Sequence, residues 1–506
     1  MANRRQRPII PVPLPLYGLN DKYSPYAIHD LESAGLENVI IGANIIQTRP
    51  GYSTHGTTSG VGPILNAIDY RKSDGTNIEI RQRAATIEKL DTNTDTWTAL
   101  SLPITLTSGY KCNFQVLNNL LLISNGIDSD LSYDGTTVTE RSTLPKTPYQ
   151  IVMQNRIVKL TSAGILWFSD TNDPLTYDAL SFINVDPNNA AMGVGVGELN
   201  GQVVAFKQNK KYSVTQLVGG TVVPLDGDVS TVSHFSIVST GSTLIFLSSN
   251  GWYEIRGSST EPISGHITFD TLDKSRLQNA HAIFYDNRYR CFVTESGNSY
   301  NNLEYVFHTH LRTPFFDNLY PVTKNRGLNG YCYYKTLRTG QETLYFGESR
   351  SSSGSPVTNH SDVYQMFSGF TDNGTAVEAY FTSKLFDNGV PYFSKRYRRL
   401  YTRIINATGL TYYVAYRFST TAGWNEQALS IAETALTWVM DDASEITEWS
   451  EGIDWPFEGA EDDYTPLSNT GRPKTIQFRN RISSSVAQGQ WIYQAYRLRV
   501  RDKFKP

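Results

Sequence analysis

Asp128, Asp130, Asp134 and Gly135 stand at a spacing that partly imitates a calcium loop, the oxygen-rich turn a hard divalent cation needs. Ser132 takes the third position and Arg141 stands where the bidentate glutamate should be, so a hairpin turn is the expectation. His308 and His310 alternate along one expected strand and could share a metal from one face, but no third ligand accompanies them. Gly193-Val194-Gly195-Val196-Gly197 is the best glycine run. It lacks the strand-then-helix setting of a nucleotide site and is expected to form a tight turn before a strand. There is no phosphate-binding glycine loop with Lys-Ser/Thr, no His-Glu-x-x-His, no paired Cys-x-x-Cys and no repeated sialidase-type Asp box. Any Asp/Glu pair could in principle flank a glycosidic bond, but nothing selects one. The expectation is a protein without catalytic residues, metal or cofactor.

Charge patterning is more informative. Asp441, Asp442, Glu445, Glu448, Glu451, Asp454, Glu458, Glu461, Asp462 and Asp463 follow one another with no basic residue among them. The balance then reverses, through Arg497, Arg499 and Arg501 near the end of the chain. A second basic group, Lys395-Arg396-Tyr397-Arg398-Arg399, opens an expected strand, where alternation sends Arg396 and Arg398 to one face and Arg399 to the other. These residues are the candidate interface. An acidic surface beside a basic one suits ordered contacts between copies or the wall of a DNA passage, and a solvated loop remains the plain alternative.

The elements that must position these groups read as strands. The chain has 506 residues, more than one ordinary hydrophobic core, with 31 Tyr, 22 Phe and few helix-favouring runs. Formal net charge is −3, which excludes bulk attraction to polyanions. Cys112, Cys291 and Cys332 are odd in number and widely spaced, so they form no disulfide framework and are expected as buried thiols in a reducing cytosol. No apolar run is long enough to cross a bilayer, and the prolines of residues 8–15 break up the only candidate for a leader.

Residues 1–50 read as an extended N-terminal arm, proline-punctuated and apolar, needing a partner surface on its own chain or a neighbour, with a short helical turn around 28–36. Residues 51–372 read as a β-propeller. Apolar strands beginning near Leu120, Arg156, Gln202 and Thr243 recur at roughly the period of a four-stranded blade, and Asn-Gly and Asp-Gly pairs mark hairpins between them. Residues 373–506 read as a C-terminal β domain of sandwich type. The class is all-β.

Several fragments, in this order, resemble the β-propeller tail proteins of short-tailed bacteriophages, the nozzle or hub proteins that include the packaged-DNA stabilisation type. They are Glu37-Asn38-Val39, Gln47-Thr48-Arg49-Pro50-Gly51-Tyr52, Asn155-Arg156-Ile157-Val158, Leu166-Trp167-Phe168-Ser169 with Asp173-Pro174, the stretch from Leu199 to Lys207, Asp372-Asn373-Gly374, and the Lys/Arg-rich strand 395–400. The resemblance implies a homo-oligomeric ring, usually of six copies, below the portal and its adaptor. Its lumen would continue the DNA channel, with transient non-specific contact to double-stranded DNA, and its outside would carry tail fibres or spikes. It also implies assembly in the bacterial cytoplasm, residence in the virion tail and no membrane insertion. Two other functions compete: a receptor-binding adhesin propeller that recognises a surface glycan, with Trp449 and Trp455 as stacking platforms, and a propeller glycosidase.

Overall fold

The computed structural model describes residues 9–42, 44–57, 60–311, 319–338, 340–350, 361–389, 395–405, 411–430, 465–466, 474–485 and 488–500. Among them, seven four-stranded antiparallel units follow one another: residues 64–99, 113–141, 150–184, 193–224, 238–262, 281–326, and 330–366 completed by the strand Tyr52–His55. The first strand of each unit lies beside the first strand of the next, and Gly330–Thr336 lies beside Ile64–Arg71. The units are therefore the blades of a closed seven-bladed propeller. The outermost strand of blade 7 comes from the N-terminal side, where Tyr52–His55 runs antiparallel to Val363–Met366. The ring is thus closed by pairing distant parts of the chain.

The strands recurring near 120, 156, 202 and 243 are the second strands of blades 2 to 5. The first three stand out because each follows a two-residue turn that needs a left-handed backbone, and the second strand of blade 6 does the same. Asn118-Asn119, Gln154-Asn155 and Asp286-Asn287 all have φ between 49° and 60°. Asn tolerates that region because its short amide can bond locally, and such turns match the twist of paired strands. The glycine run at 193–197 is not a turn. It lies within the inner strand Gly193–Leu199, where a Cβ on Gly195 or Gly197 would stand 2.7 or 2.6 Å from Ile237 of the next blade. Small residues there let neighbouring blades approach.

Among the remaining described residues, two facing sheets form. One carries Thr375–Thr382, Gln477–Ser484, Thr411–Arg417 and Asn425–Ser430. The other pairs Lys395–Ile405 with Gln490–Val500 and adds Thr465–Pro466. Across the interior, the Phe381 and Trp491 rings meet edge to face at 5.3 Å, and the buried amides of Asn480 and Gln494 bond each other.

The N-terminal arm, expected to need a surface on its own chain or a neighbour, finds it on its own chain over residues 9–42 and 44–50. Ile9–Pro11 pairs with Gln490–Val500, and Ile46–Thr48 pairs with the same strand. Gly35–Glu37 lies between the outer strand of blade 6 and Thr375–Thr382. Val12, Leu14, Leu36 and Ile46 are buried in a core that runs from Trp252 and Tyr305 of the propeller to Trp491 of the sandwich. The apolar composition is satisfied within the chain, and residues 28–36 contain turns and a short strand rather than a helical turn.

Candidate assembly interfaces and their supporting joint

Arg49 is the residue on which the two regions turn. It is 5% exposed, and all five of its N–H donors are used. Nη1 and Nη2 clamp the Asp372 carboxylate at 2.7 and 2.5 Å, Nε donates to Asn38 Oδ1 at 3.0 Å, and the remaining donors reach the carbonyls of Pro50 and Arg326. Asn38 sits at φ 57° and uses the same Oδ1 to accept the Arg326 amide while its Nδ2 donates to Glu378 O. Gly51 is required for close approach, because a Cβ there would lie 1.9 Å from Thr371 O. Beside it Arg326 donates to Glu37 and bidentately to Glu295, which holds the Glu295 carboxyl below its ordinary range.

Two neighbouring stretches, Glu37-Asn38 and Arg49-Pro50-Gly51, therefore meet a third far along the sequence, Asp372-Asn373-Gly374, at one point. Sequence reading singled out these fragments but assigned Arg49 and Asp372 no role. A basic residue that needs a buried carboxylate partner could have drawn attention to Arg49, but nothing local names Asp372 as that partner.

The basic candidates come together as a pair of strands. Lys395–Ile405 and Gln490–Val500 are antiparallel neighbours with Arg396 opposite Arg499. The register then jumps from Tyr397 opposite Leu498 to Leu400 opposite Tyr496, so Arg398 and Arg399 stand together against Arg497. This bulge breaks the simple alternation expected for Arg396, Arg398 and Arg399. Gln494 is turned to the interior. Like charges at paired register positions, here Arg396 and Arg499, destabilise a strand pair that has no anion near it. Arg501 and the whole acidic run Asp441, Asp442, Glu445, Glu448, Glu451, Asp454, Glu458, Glu461, Asp462 and Asp463 lie outside the described residues, as do Trp449 and Trp455.

The calcium-like stretch is divided among other tasks. Asp128 accepts from Thr107 and Asn125, Asp134 caps the amides of Thr136 and Thr137, and Asp130 is buried in an ion pair with Lys159. His308 is buried and accepts from Arg288 through Nδ1, while His310 lies in the turn beyond the strand. An open groove of about 790 Å³ runs between hairpin tips of blades 1 to 3, lined by Lys72, Asp74, Asn118, Asn119, Asn172 and Asp173 among others.

No family model matches the sequence, and no curated protein matches it. Solved structures similar to it include Raptor from Chaetomium thermophilum (10% identity, TM-score 0.40), where the match covers 63% of this chain and 30% of that one. YCF48 bound to D1 peptide matches at 10% identity and TM-score 0.38, covering 63% of this chain and 99% of the other. The computationally designed Ika8 protein matches at 10% identity and TM-score 0.36, covering 66% and 96%. This chain spans less than a third of the Raptor chain. The propeller is identified by its own strand pairing.

Proposed function

We propose that the chain is a structural subunit of a short-tailed bacteriophage tail, a nozzle or hub protein that works by assembly and not by covalent chemistry. The observation that carries this reading is the convergence of three of the resemblance fragments, Glu37-Asn38-Val39, Gln47 to Tyr52 and Asp372-Asn373-Gly374, on the Arg49 joint. Fragments that matter for building a subunit should mark its joints, and these do. Copies would form a ring, six in the family pattern, below the portal and adaptor, with the genome retained in and then conducted through the lumen. The arginine-rich paired strands 395–405 and 490–500 would meet acidic surface of a neighbouring copy, as complementary potentials fix register between partners.

The test is to mix the purified chain with a portal–adaptor complex and follow it by gel filtration and electron microscopy. The expected result is co-elution as a ring at one end of that complex. A chain that stays apart from it at every concentration and salt would overturn the reading. A second reading, a glycan-recognising adhesin, draws on the amide- and carboxylate-lined groove of blades 1 to 3, whose groups suit hydroxyl-rich ligands. Saturable binding of the isolated chain to host cells, lost on Asn172→Ala, would favour it.

A further inference from the structure

The inner strands of a propeller converge on its axis, and the segments that lead into them gather at one axial mouth. Lys111 precedes the inner strand of blade 2, His234 and Phe235 precede that of blade 5, His281 begins that of blade 6, and Tyr331 lies at the start of that of blade 7. These residues meet. Lys111 Nζ is 2.8 Å from His281 Nδ1 and 2.9 Å from the Tyr331 carbonyl, and it sits 4.3 Å from the Phe235 ring centre and 5.4 Å from that of Tyr331. His234 Nε2 is 2.8 Å from Asn113 Nδ2, and His234 Nδ1 accepts the Val196 amide at 3.3 Å. One cluster thus joins blades 2, 4, 5, 6 and 7 across the axis.

The cluster is unlike the other buried amines nearby. Lys159 has the carboxylate of Asp130, whereas no carboxylate acts on Lys111. The groups facing it are His281 and, through space, His234, the Cys332 thiol and the two aromatic rings. Gln150 bonds Asn113, the Tyr149 ring meets His234 edge to face, the Tyr333 ring meets His281 while its hydroxyl is held by Glu304, and Arg276, paired with Asp273, acts on Tyr331. An amine bonded to an imidazole lone pair survives only while that nitrogen is unprotonated. With a proton on Nδ1, His281 becomes a donor facing a donor, and two cations stand with no counter-ion.

We propose that Lys111, His281 and His234 form an acid-sensitive latch that holds the axial mouth of the propeller closed near neutral pH and releases the inner strands of blades 2, 5, 6 and 7 on acidification. The direction of the individual groups agrees. Burial lowers the Lys111 amine to about 7, takes His234 down to about 4, and pushes His281 well below its ordinary value. Each therefore resists protonation in the closed form, and acid favours the open one. The proposal concerns the subunit alone and does not depend on the tail assignment.

Hydrogen exchange of the full chain, followed by mass spectrometry from about pH 8 to about pH 4.5 and corrected for intrinsic rates, tests it. The expected result is a rise of at least about tenfold in exchange of peptides spanning 113–117, 281–285 and 330–336 as the pH falls below about 6.5, with sandwich peptides 477–484 unchanged. His281→Gln keeps a side-chain acceptor that cannot titrate and should cut the acid-driven rise to the smaller share that His234 contributes. Lys111→Met should show the same exchange at both ends of the range. Unchanged exchange in the parent chain, or a His281→Gln variant that opens with the parent's pH dependence, would overturn the proposal. Both outcomes can be read even where Lys111→Met fails to fold.

Discussion

The propeller and the sandwich are made of the same kind of strand but are assembled by opposite rules. Blades 1 to 6 each use one continuous stretch of chain, joined by short hairpins and packed on the next stretch in sequence. The sandwich joins strands from residues 9–48 to strands beyond 375, and its central contacts link residues hundreds of positions apart. Local pairing makes the propeller tolerant of small faults, whereas the sandwich depends on a few long-range contacts that have no local substitute.

The largest expected effect breaks the sandwich at its N-terminal strands. Deleting residues 1–16 removes the pairing of Ile9–Pro11 and the buried side chains of Val12 and Leu14. At about 1.5–3 kcal/mol for each buried apolar side chain, the loss should be roughly 3–6 kcal/mol. It should appear in urea melts as early loss of the sandwich with the propeller transition retained. A single cooperative transition shifted as a whole would show that the two regions are one unit. Arg49→Leu comes next. It strands the Asp372 carboxylate and three carbonyl or amide acceptors, an expected loss of about 3–5 kcal/mol by chemical denaturation. A loss under about 1 kcal/mol would mean that the joint is solvated and not a clamp.

Acid should act the other way round. His234, His266, His281 and His308 are all depressed by burial, and no histidine lies beyond residue 360. A histidine held below its unfolded value contributes stability that is present above about pH 6.5 and lost as pH falls toward 4. The propeller should therefore lose melting temperature over that window before the sandwich does, as near-ultraviolet circular dichroism and exchange of the 477–484 strand would record. The smallest effect is local. Asn119 holds φ 60° at the first hairpin of blade 2 and bonds Ser73 of blade 1 through both side-chain atoms, so Asn119→Ala should cost about 1–2 kcal/mol with exchange changes confined to residues 113–141 and the blade 1 hairpin around Ser73.

The same contrast explains what could be read from sequence. The Asn-bearing turns and the apolar second strands repeat along the chain, so the all-β propeller was legible from the recurrence at 120, 156, 202 and 243. The seventh blade was not, because its last strand, Tyr52–His55, comes from the other end of the propeller sequence. The proline-rich segment gave its apolar character correctly but not its partner, since composition says that a side chain needs burial without saying where. The basic residues at 396–399 and 497–499 could be found as clusters. That they lie opposite one another required a register with a bulge, which no local pattern encodes. The Lys111 cluster left no trace either, for each member sits alone in an apolar or mixed stretch and acquires its chemistry from the axis.

The strand Tyr52–His55 also sets a schedule. During synthesis it leaves the ribosome early, yet its partner Val363–Met366 follows some three hundred residues later, and the strand paired with Ile9–Pro11 follows that one by more than a hundred more. At about 5–20 residues per second the first fifty residues wait on the order of a minute with their apolar faces uncovered. That interval is an exposure to chaperones and to misassociation with other nascent copies. It is also a proofreading step. A prematurely terminated chain can build single blades, but it can neither shut the circle nor cover its own beginning, so only finished polypeptides can present a complete subunit.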